Sequence, residues 1–169
     1  MPLLMYMKID GVPGNSKDFQ HKGWFDVLSW NWGMTSNRKA PKCEDSDKTS
    51  LNELSVVKSV GSDSAAIRSL FAKGAVIPSI EFSIIPEVGK REVKTKYVNM
   101  KMENVIIKSI ISGGNMEENF FKEHITFLFE KIWTEYTRNT ARSAEGVETE
   151  PDNQDFSWDV SENTEWIRN

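Results

Sequence analysis

The chain has 169 residues, which suits one domain with its own hydrophobic core. Its 21 basic and 25 acidic side chains give a net charge of −4, which argues against nucleic-acid binding through a basic surface. No stretch approaches the ~20 apolar residues of a membrane span, so no membrane insertion is expected.

The first eight residues lack the charged start and the apolar stretch of ~7–15 residues that a secretory signal needs. We therefore expect a protein that is made and folded in the cytoplasm and that, if exported, leaves without a cleaved signal. The single cysteine, Cys43, cannot form an internal disulfide, so nothing here requires an oxidising compartment.

The N-terminal third predicts two strands. The first covers residues 3–9 and ends at turn pairs that contain Gly11 and Gly14. The clearest strand covers residues 24–34, where period-two alternation separates two faces. The face predicted to be buried carries the heavier side chains: Trp24, Asp26, Leu28, Trp30 and Trp32. The opposite face is lighter: Phe25, Val27, Ser29, Asn31 and Gly33.

The middle of the chain predicts a long loop, a strand and a helix. Residues 35–50 are polar, mixed in charge and without periodicity, which favours a long loop. Alternation returns over residues 51–60. A helix is predicted over 62–74, because capping residues precede an apolar stripe at helical spacing and Gly74 suits its C-terminal cap.

The remaining sequence predicts four more strand regions, over 76–85, 93–112, 123–136 and 156–160. The alternation changes phase near Asn104, which predicts a bulge or a tight corner there. Residues 139–155 form a polar segment. The pattern predicts one domain over residues 1–169, mainly β: an antiparallel β-barrel of two packed sheets with one short α-helix flanking it.

The sequence offers little chemistry for an active site. His21 and His124 lack metal-ligand spacing, and neither a G-x-S-x-G nucleophile motif nor a glycine-rich phosphate loop precedes a helix. We therefore expect no catalytic residue, no cofactor and no metal, and a protein that is not an enzyme. An enzyme with an unfamiliar site is the weakest alternative.

Six tryptophans are many for this length and leave two interpretations open. One is a ligand- or sugar-binding β-sandwich that uses exposed tryptophans. The other is a core combined with a protein interface, where tryptophan is favoured. Trp30 and Trp32 share the parity of Leu28, which favours the second interpretation.

Several segments together resemble the haemolysin-coregulated protein (Hcp) family, the tube component of the type VI secretion system. The most specific run is Leu28-Ser29-Trp30-x-Trp32-Gly33. The supporting matches are Lys8-Ile9-Asp10-Gly11, Gly14-x-Ser16 followed by Asp18, His21-Lys22-Gly23, Ala65 to Gly74, Asn104 to Gly114, Phe127 to Tyr136, Ser157-Trp158-Asp159 and Asn163. The sequence departs from the family at Asn15, where an acidic residue is expected, and in the charged loop 35–50.

The resemblance implies a structural subunit of the secretion inner tube. Six copies close into a homohexameric ring, and rings stack inside a contractile sheath behind a spike protein. Effectors ride in the lumen, and the tube is secreted. The absence of an appended toxin domain favours a plain tube subunit.

Two groups of site residues follow. We hypothesise that Ser29 and Asn31 face the ring centre, because they lie on the small, polar face of their strand. The resemblance also implies that loop 35–50 reaches the next protomer or ring. Its charged side chains are therefore candidate contacts between protomers: Arg38, Lys39, Lys42, Glu44, Asp45 and Asp47.

Overall fold

The computed structural model describes residues 3–36, 50–87, 98–137 and 153–166. These residues form ten β-strands and one α-helix. Their bounds are β1 Leu3–Ile9, β2 Phe25–Asp26, β3 Ser29–Asn31, β4 Met34–Thr35, β5 Ser50–Leu51, β6 Leu54–Ser59, α1 Ser64–Ala72, β7 Ile77–Pro86, β8 Val98–Gly113, β9 Lys122–Thr137 and β10 Asn153–Asp159. The predicted mainly-β class with one short helix is confirmed.

Eight of the strands belong to one antiparallel sheet with the order β2-β1-β7-β8-β9-β6-β3, and β10 pairs with β9. Strands β4 and β5 form a separate pair. The sheet order begins at β2 and ends at β3, which are neighbours in the chain. The amide of Val27 donates to Met5 on β1 (2.9 Å), and that of Leu28 donates to Val57 on β6 (2.8 Å). Val27 and Leu28 therefore connect the two ends of the sheet order, β2 and β3.

The prediction of one continuous strand over residues 24–34 is wrong, because the chain changes its pairing partner between Val27 and Leu28. The change shifts the alternation. Phe25 and Val27, assigned to the light face, are buried, whereas Leu28 is 42% exposed. Only beyond the break does the assignment hold, since Trp30 and Trp32 pack against the core.

The core is built by alternating residues of the strands. Apolar residues of β6 and β7 belong to it, and Ile67 of α1 is buried in it from the helix side. Burying each large apolar side chain stabilises the fold by roughly 1.5–3 kcal/mol. The largest fully buried ones are Phe25, Phe82, Phe127, Met7, Ile9, Leu54, Ile67, Ile77, Ile80, Ile85, Met102 and Ile125.

The long hairpin of β8 and β9 bends at the predicted corner. Asn104 has φ 52°, in the left-handed region that asparagine tolerates, and both Met102 and Val105 are buried on either side of it. A register shift between Ile107 and Ser109 follows. The corner divides the hairpin. We call residues 98–105 with 129–137 the lower half, and residues 106–113 with 122–128 the upper half.

Helix α1 is shorter than predicted, although Gly74 adopts the predicted left-handed conformation (φ 60°). Ile67 is buried and Phe71 is exposed, so the apolar stripe is only partly covered. In the described part of the chain, no helix has the length and apolar character needed to cross a membrane.

A buried polar network holds α1 to the sheet. The Nζ of Lys58 lies 2.6 Å from a carboxylate oxygen of Asp63 and donates to Glu123 (3.0 Å). Ser64 also donates to Glu123 (2.7 Å), as does Arg68 (3.3 Å). Lys58 shares the inward face of β6 with Leu54 and Val56, and these carboxylates make its burial tolerable.

Candidate functional site

The upper half of the hairpin, together with β6 and β3, presents one side of the sheet to solvent. Strand pairing places its outward side chains in two rows. The first row consists of Asn31, Ser55, Thr126 and Ser109. The second consists of Ser29, Val57, His124 and Ile111. We call the surface formed by these eight residues the open face.

The open face is mostly small and polar. Every residue of the first row carries a hydroxyl or amide, and the hydroxyls of Ser55 and Thr126 lie 3.4 Å apart. Ser29 and Asn31 are both exposed on the side of the sheet opposite the core. The structure therefore brings the two predicted residues together on one surface. That they face a ring centre stays a prediction.

Local charge on this side of the sheet is balanced. Lys108, the extra residue at the register shift, forms an ion pair with Glu53. Beside this pair lie Ile106 and Leu128, which face each other across β8 and β9 and are partly exposed. A neutral surface of small polar and scattered apolar groups is suited to weak contacts with other proteins.

Two backbone edges flank the open face. Among the described strands, β3 pairs with β6 alone. Strand β8 pairs with β7 only as far as Val105, opposite Ile77. In the described residues, upper β8 thus has β9 on one side and no strand on the other. Unpaired strand edges are templates for pairing with another chain.

The directions of these edges are fixed by the sheet. Strand β3 is antiparallel to β6, β6 to β9, and β9 to β8. Three reversals leave β3 antiparallel to β8. The two unpaired edges therefore have the relative direction that antiparallel pairing between copies requires.

A second feature lies on the outward side of the lower half. Trp24 and Trp133 line a trough that encloses about 260 Å³, and its polar lining is Glu81, Asn99, Lys101 and Glu135. We call it the tryptophan trough. Two of these polar groups are linked by hydrogen bonds: Ser83 donates to Asn99 (3.3 Å), and Asn99 donates to Glu135 (3.3 Å). The trough is therefore a preformed surface.

The loop between β1 and β2 is packed around His21, a buried residue next to Trp24 of the trough. The imidazole stacks on Tyr6 (centroids 4.4 Å apart), contacts Trp24 edge-on (4.9 Å) and hydrogen bonds to Asp18 (3.1 Å). Burial, with Asp18 and Asp26 nearby, raises the pKa of Tyr6 to about 12. Gly14 is needed there, since a Cβ would lie 2.2 Å from the Trp24 carbonyl oxygen. The motif residues Gly14, Asp18 and His21 therefore stabilise the loop between β1 and β2.

The remaining site predictions have mixed outcomes. The six charged residues of loop 35–50 lie outside the described residues, so their contacts stay a prediction. No group of histidine, cysteine, aspartate and glutamate in the described ranges could hold a metal ion. The placement of Trp30 and Trp32 against the core confirms the core interpretation for these two, and Trp158 also packs against the core.

Sequence reasoning missed most of the open face, the tryptophan trough and the buried network. Alternation places Ser55 and Val57 on one face of a strand, but the sequence does not show the pairing that joins them to Thr126 and His124. The trough joins the loop before β2 to β7, β8 and β9, and no local pattern reports such a meeting.

Comparisons with known proteins agree on one family. The family model described as "Type VI secretion system effector, Hcp" matches residues 6–136. Protein hcp1 of Pseudomonas aeruginosa is 24% identical over 146 residues, covering 85% of this chain and 89% of that protein.

Solved structures give the same result. A structure described as that of a type six secretion system protein superposes with a TM-score of 0.82 at 22% identity, covering 98% of this chain and all of the other. A type VI secretion system effector from Yersinia pestis superposes with a TM-score of 0.71 at 25% identity, covering 92% of this chain and 99% of the other.

Proposed function

The chain belongs to the Hcp family of the type VI secretion system, and we propose that it forms homohexameric rings that stack into the inner tube. Its role as a structural tube component follows from the family. The ring, the stacking and the loading of effectors are the proposal. The spike protein and the sheath are the proposed further partners. Secretion through the apparatus and the absence of catalysis by the tube subunit are also part of the proposal.

The observation that carries this proposal is the pair of unpaired strand edges beside the open face. A ring needs one heterologous contact that repeats until it closes. Strand β3 of one copy can pair with upper β8 of the next, because the two edges are antiparallel. Each copy then contributes β3, β6, β9 and β8 to one continuous sheet, and closure of the ring pairs both the β3 edge and the upper β8 edge of every copy.

This pairing determines where the open face lies in the ring. The continuous sheet has the cores of the six copies on one side and the open faces on the other. Since the cores and helices need room, the open faces line the smaller, inner circumference. Ser29 and Asn31 then face the channel, as the sequence led us to hypothesise. A small, polar and nearly neutral lining is suited to the passage of varied effectors.

Electron microscopy of labelled protein tests the orientation directly. In a Cys43→Ser background, we introduce Asn31→Cys and attach a maleimide gold cluster. We expect rings with a central hole and gold inside it. Ser69→Cys, on the exposed side of α1, is the matched control and is expected to carry gold away from the hole. Particles without a ring, or gold from position 31 on the outer rim, would contradict the proposal.

Deleting residues 38–47 tests the predicted contact made by loop 35–50. We expect weaker ring closure or stacking, with the thermal unfolding of the monomer nearly unchanged because the deleted residues lie outside the described sheet. Sizing chromatography and microscopy measure assembly, and circular dichroism measures the fold. Unchanged assembly would count against the contact.

A further inference from the structure

Two exposed apolar side chains, Leu28 and Phe71, lie beside the two strand edges that the ring joins. We propose that Leu28 of one copy packs against Phe71 of the next copy, under helix α1. This inference rests on the proposed ring assembly and adds a side-chain contact to its backbone pairing. In the isolated chain Leu28 is 42% exposed and Phe71 is 44% exposed, although the side of each element on which they lie also contributes to the core.

Leu28 lies at one edge of the sheet, on the inward side that carries the core. It directly precedes β3 and shares the parity of Trp30, which packs against the core. Among the described strands, β3 pairs with β6 alone, so no described strand covers Leu28 from the other side. Leu28 is therefore exposed because it lies at the end of the sheet, and not because it faces outward.

Phe71 lies beside the other edge, that of upper β8. Among the described strands, α1 packs most closely against β8. Arg68 donates to Ser112 of β8 (3.0 Å), and Ser112 is the cross-strand partner of the buried Glu123. This flank of the helix therefore covers the inward side of upper β8. Residues three apart are neighbours on a helix surface, so Phe71 lies on the same flank as Arg68.

Helix α1 follows the unpaired edge. Its first turn is hydrogen bonded to Glu123 at the start of β9 (2.7 Å). The chain that leaves the helix enters β7 at Ile77, opposite Val105 of β8. Between these two points lies the stretch of β8 that has no second partner strand in the described residues. Phe71 belongs to the last turn of the helix, over this stretch.

Ring pairing brings Leu28 of the neighbouring copy to this flank. The neighbour's β3 is antiparallel to upper β8, so the residues that precede β3 lie toward Ser112. The continuous sheet has the cores of all copies on one side. The neighbour's inward Leu28 therefore reaches the side of β8 that α1 covers, where Phe71 is an exposed apolar side chain. Contact between the two removes both from water.

Chemical crosslinking tests this contact in the assembled protein. In a Cys43→Ser background, Leu28→Cys is combined with Phe71→Cys, and rings are treated with a short bismaleimide and run on a denaturing gel. We expect a ladder of covalent oligomers up to the hexamer. A mixture of the two single-cysteine variants is expected to stop at dimers, because each copy then carries one reactive residue. The control combines Leu28→Cys with Ser69→Cys, on the opposite flank of α1, and should remain monomeric.

A double-mutant cycle gives an independent readout. We expect Leu28→Ser and Phe71→Ser each to raise the protein concentration at half-dissociation of the rings about tenfold. Their combination should stay well below the about hundredfold effect of two independent contacts. Leu3→Ser, at a similarly exposed leucine on β1, is the control and should leave that concentration unchanged. Analytical ultracentrifugation measures dissociation, and urea denaturation measures the stability of each monomer.

The outcomes separate this contact from the proposed ring. Rings that form without crosslinks between positions 28 and 71, or that dissociate unchanged in both serine variants, overturn the contact and leave the ring standing. An about hundredfold effect of the double variant also overturns it, since the two side chains would then act independently. A monomer unfolded by either substitution would show that the side chain supports its own copy, with the same consequence. Wild-type protein that forms no rings overturns both proposals.

Discussion

The two halves of the β8–β9 hairpin are made of the same two strands and have different surroundings. The lower half is flanked by β7 on one side and β10 on the other. The upper half is flanked by β6 beside β9, and in the described residues no strand lies beside β8. The corner at Asn104 separates them. One hairpin can therefore anchor a monomer core with one half and offer an assembly edge with the other.

The largest expected effect comes from removing the charge that ties α1 to the upper half. Glu123→Ala leaves Lys58 and Arg68 without the fully buried carboxylate that they share. Breaking a buried ion pair from one side costs about 3–5 kcal/mol of unfolding free energy. Urea denaturation of the monomer measures it. The control is Glu118→Ala, which removes a surface pair with Lys122 and is expected to cost less than about 1 kcal/mol.

A matched pair of truncations tests whether the lower half contributes more to monomer stability than the upper half. Ile132→Ala in the lower half empties a fully buried position and is expected to cost about 2–5 kcal/mol of monomer stability. Leu128→Ala in the upper half, on a partly exposed residue, is expected to cost under about 1 kcal/mol. Urea midpoints of the two monomers check the ranking. Equal losses would mean that the upper half is as tightly packed as the lower.

These contrasts also show what the sequence could predict. Period-two alternation located β1, β6, β7 and the hairpin, and the phase change in it placed the corner at Asn104. Gly74 marked the end of the helix. Each of these signals is local, because a side chain's face follows from its own strand or turn.

The sequence-based predictions failed where pairing with a strand distant in the chain determines which face a residue lies on. Leu28 is apolar and shares the parity of Trp30 and Trp32, so it was predicted to be buried. The chain changes its pairing partner from β1 to β6 at this residue, and no neighbouring residue indicates that change. For the same reason Ser29 and Asn31 could be placed on an exposed face, whereas the row that continues through Ser55, Thr126 and Ser109 depends on pairing across four strands.

The corner itself can be tested with two substitutions at one position. Asn104 has a positive φ and donates to Glu130 (2.6 Å). Asn104→Ala is expected to lower the unfolding free energy by about 1–2 kcal/mol, because a residue that has a Cβ atom but no polar side chain is disfavoured in the left-handed conformation. Asn104→Gly relieves the backbone and should cost less. If thermal unfolding ranks glycine below alanine, the left-handed backbone is not what forms the corner.

The smallest effect at neutral pH concerns Tyr6, which lies on β1 beside β7. Its pKa is raised to about 12, chiefly by burial and then by Asp18 and Asp26. The unfolded chain releases this proton near pH 10, whereas the folded chain retains it. The stabilisation is therefore fully present below about pH 10 and is lost as pH rises toward about 12.

Tyr6→Phe isolates this contribution, because phenylalanine keeps the ring that stacks on His21 and has no proton to lose. We expect the unfolding free energy of the wild-type protein to fall more steeply than that of Tyr6→Phe across this pH window. Lysines and the other tyrosines titrate in both proteins and cancel in the difference. Urea denaturation at half-unit intervals from pH 9 to about 12 measures it. Parallel curves would mean that the packing around Tyr6 and His21 accommodates the phenolate, and that Tyr6 is less tightly packed than its burial indicates.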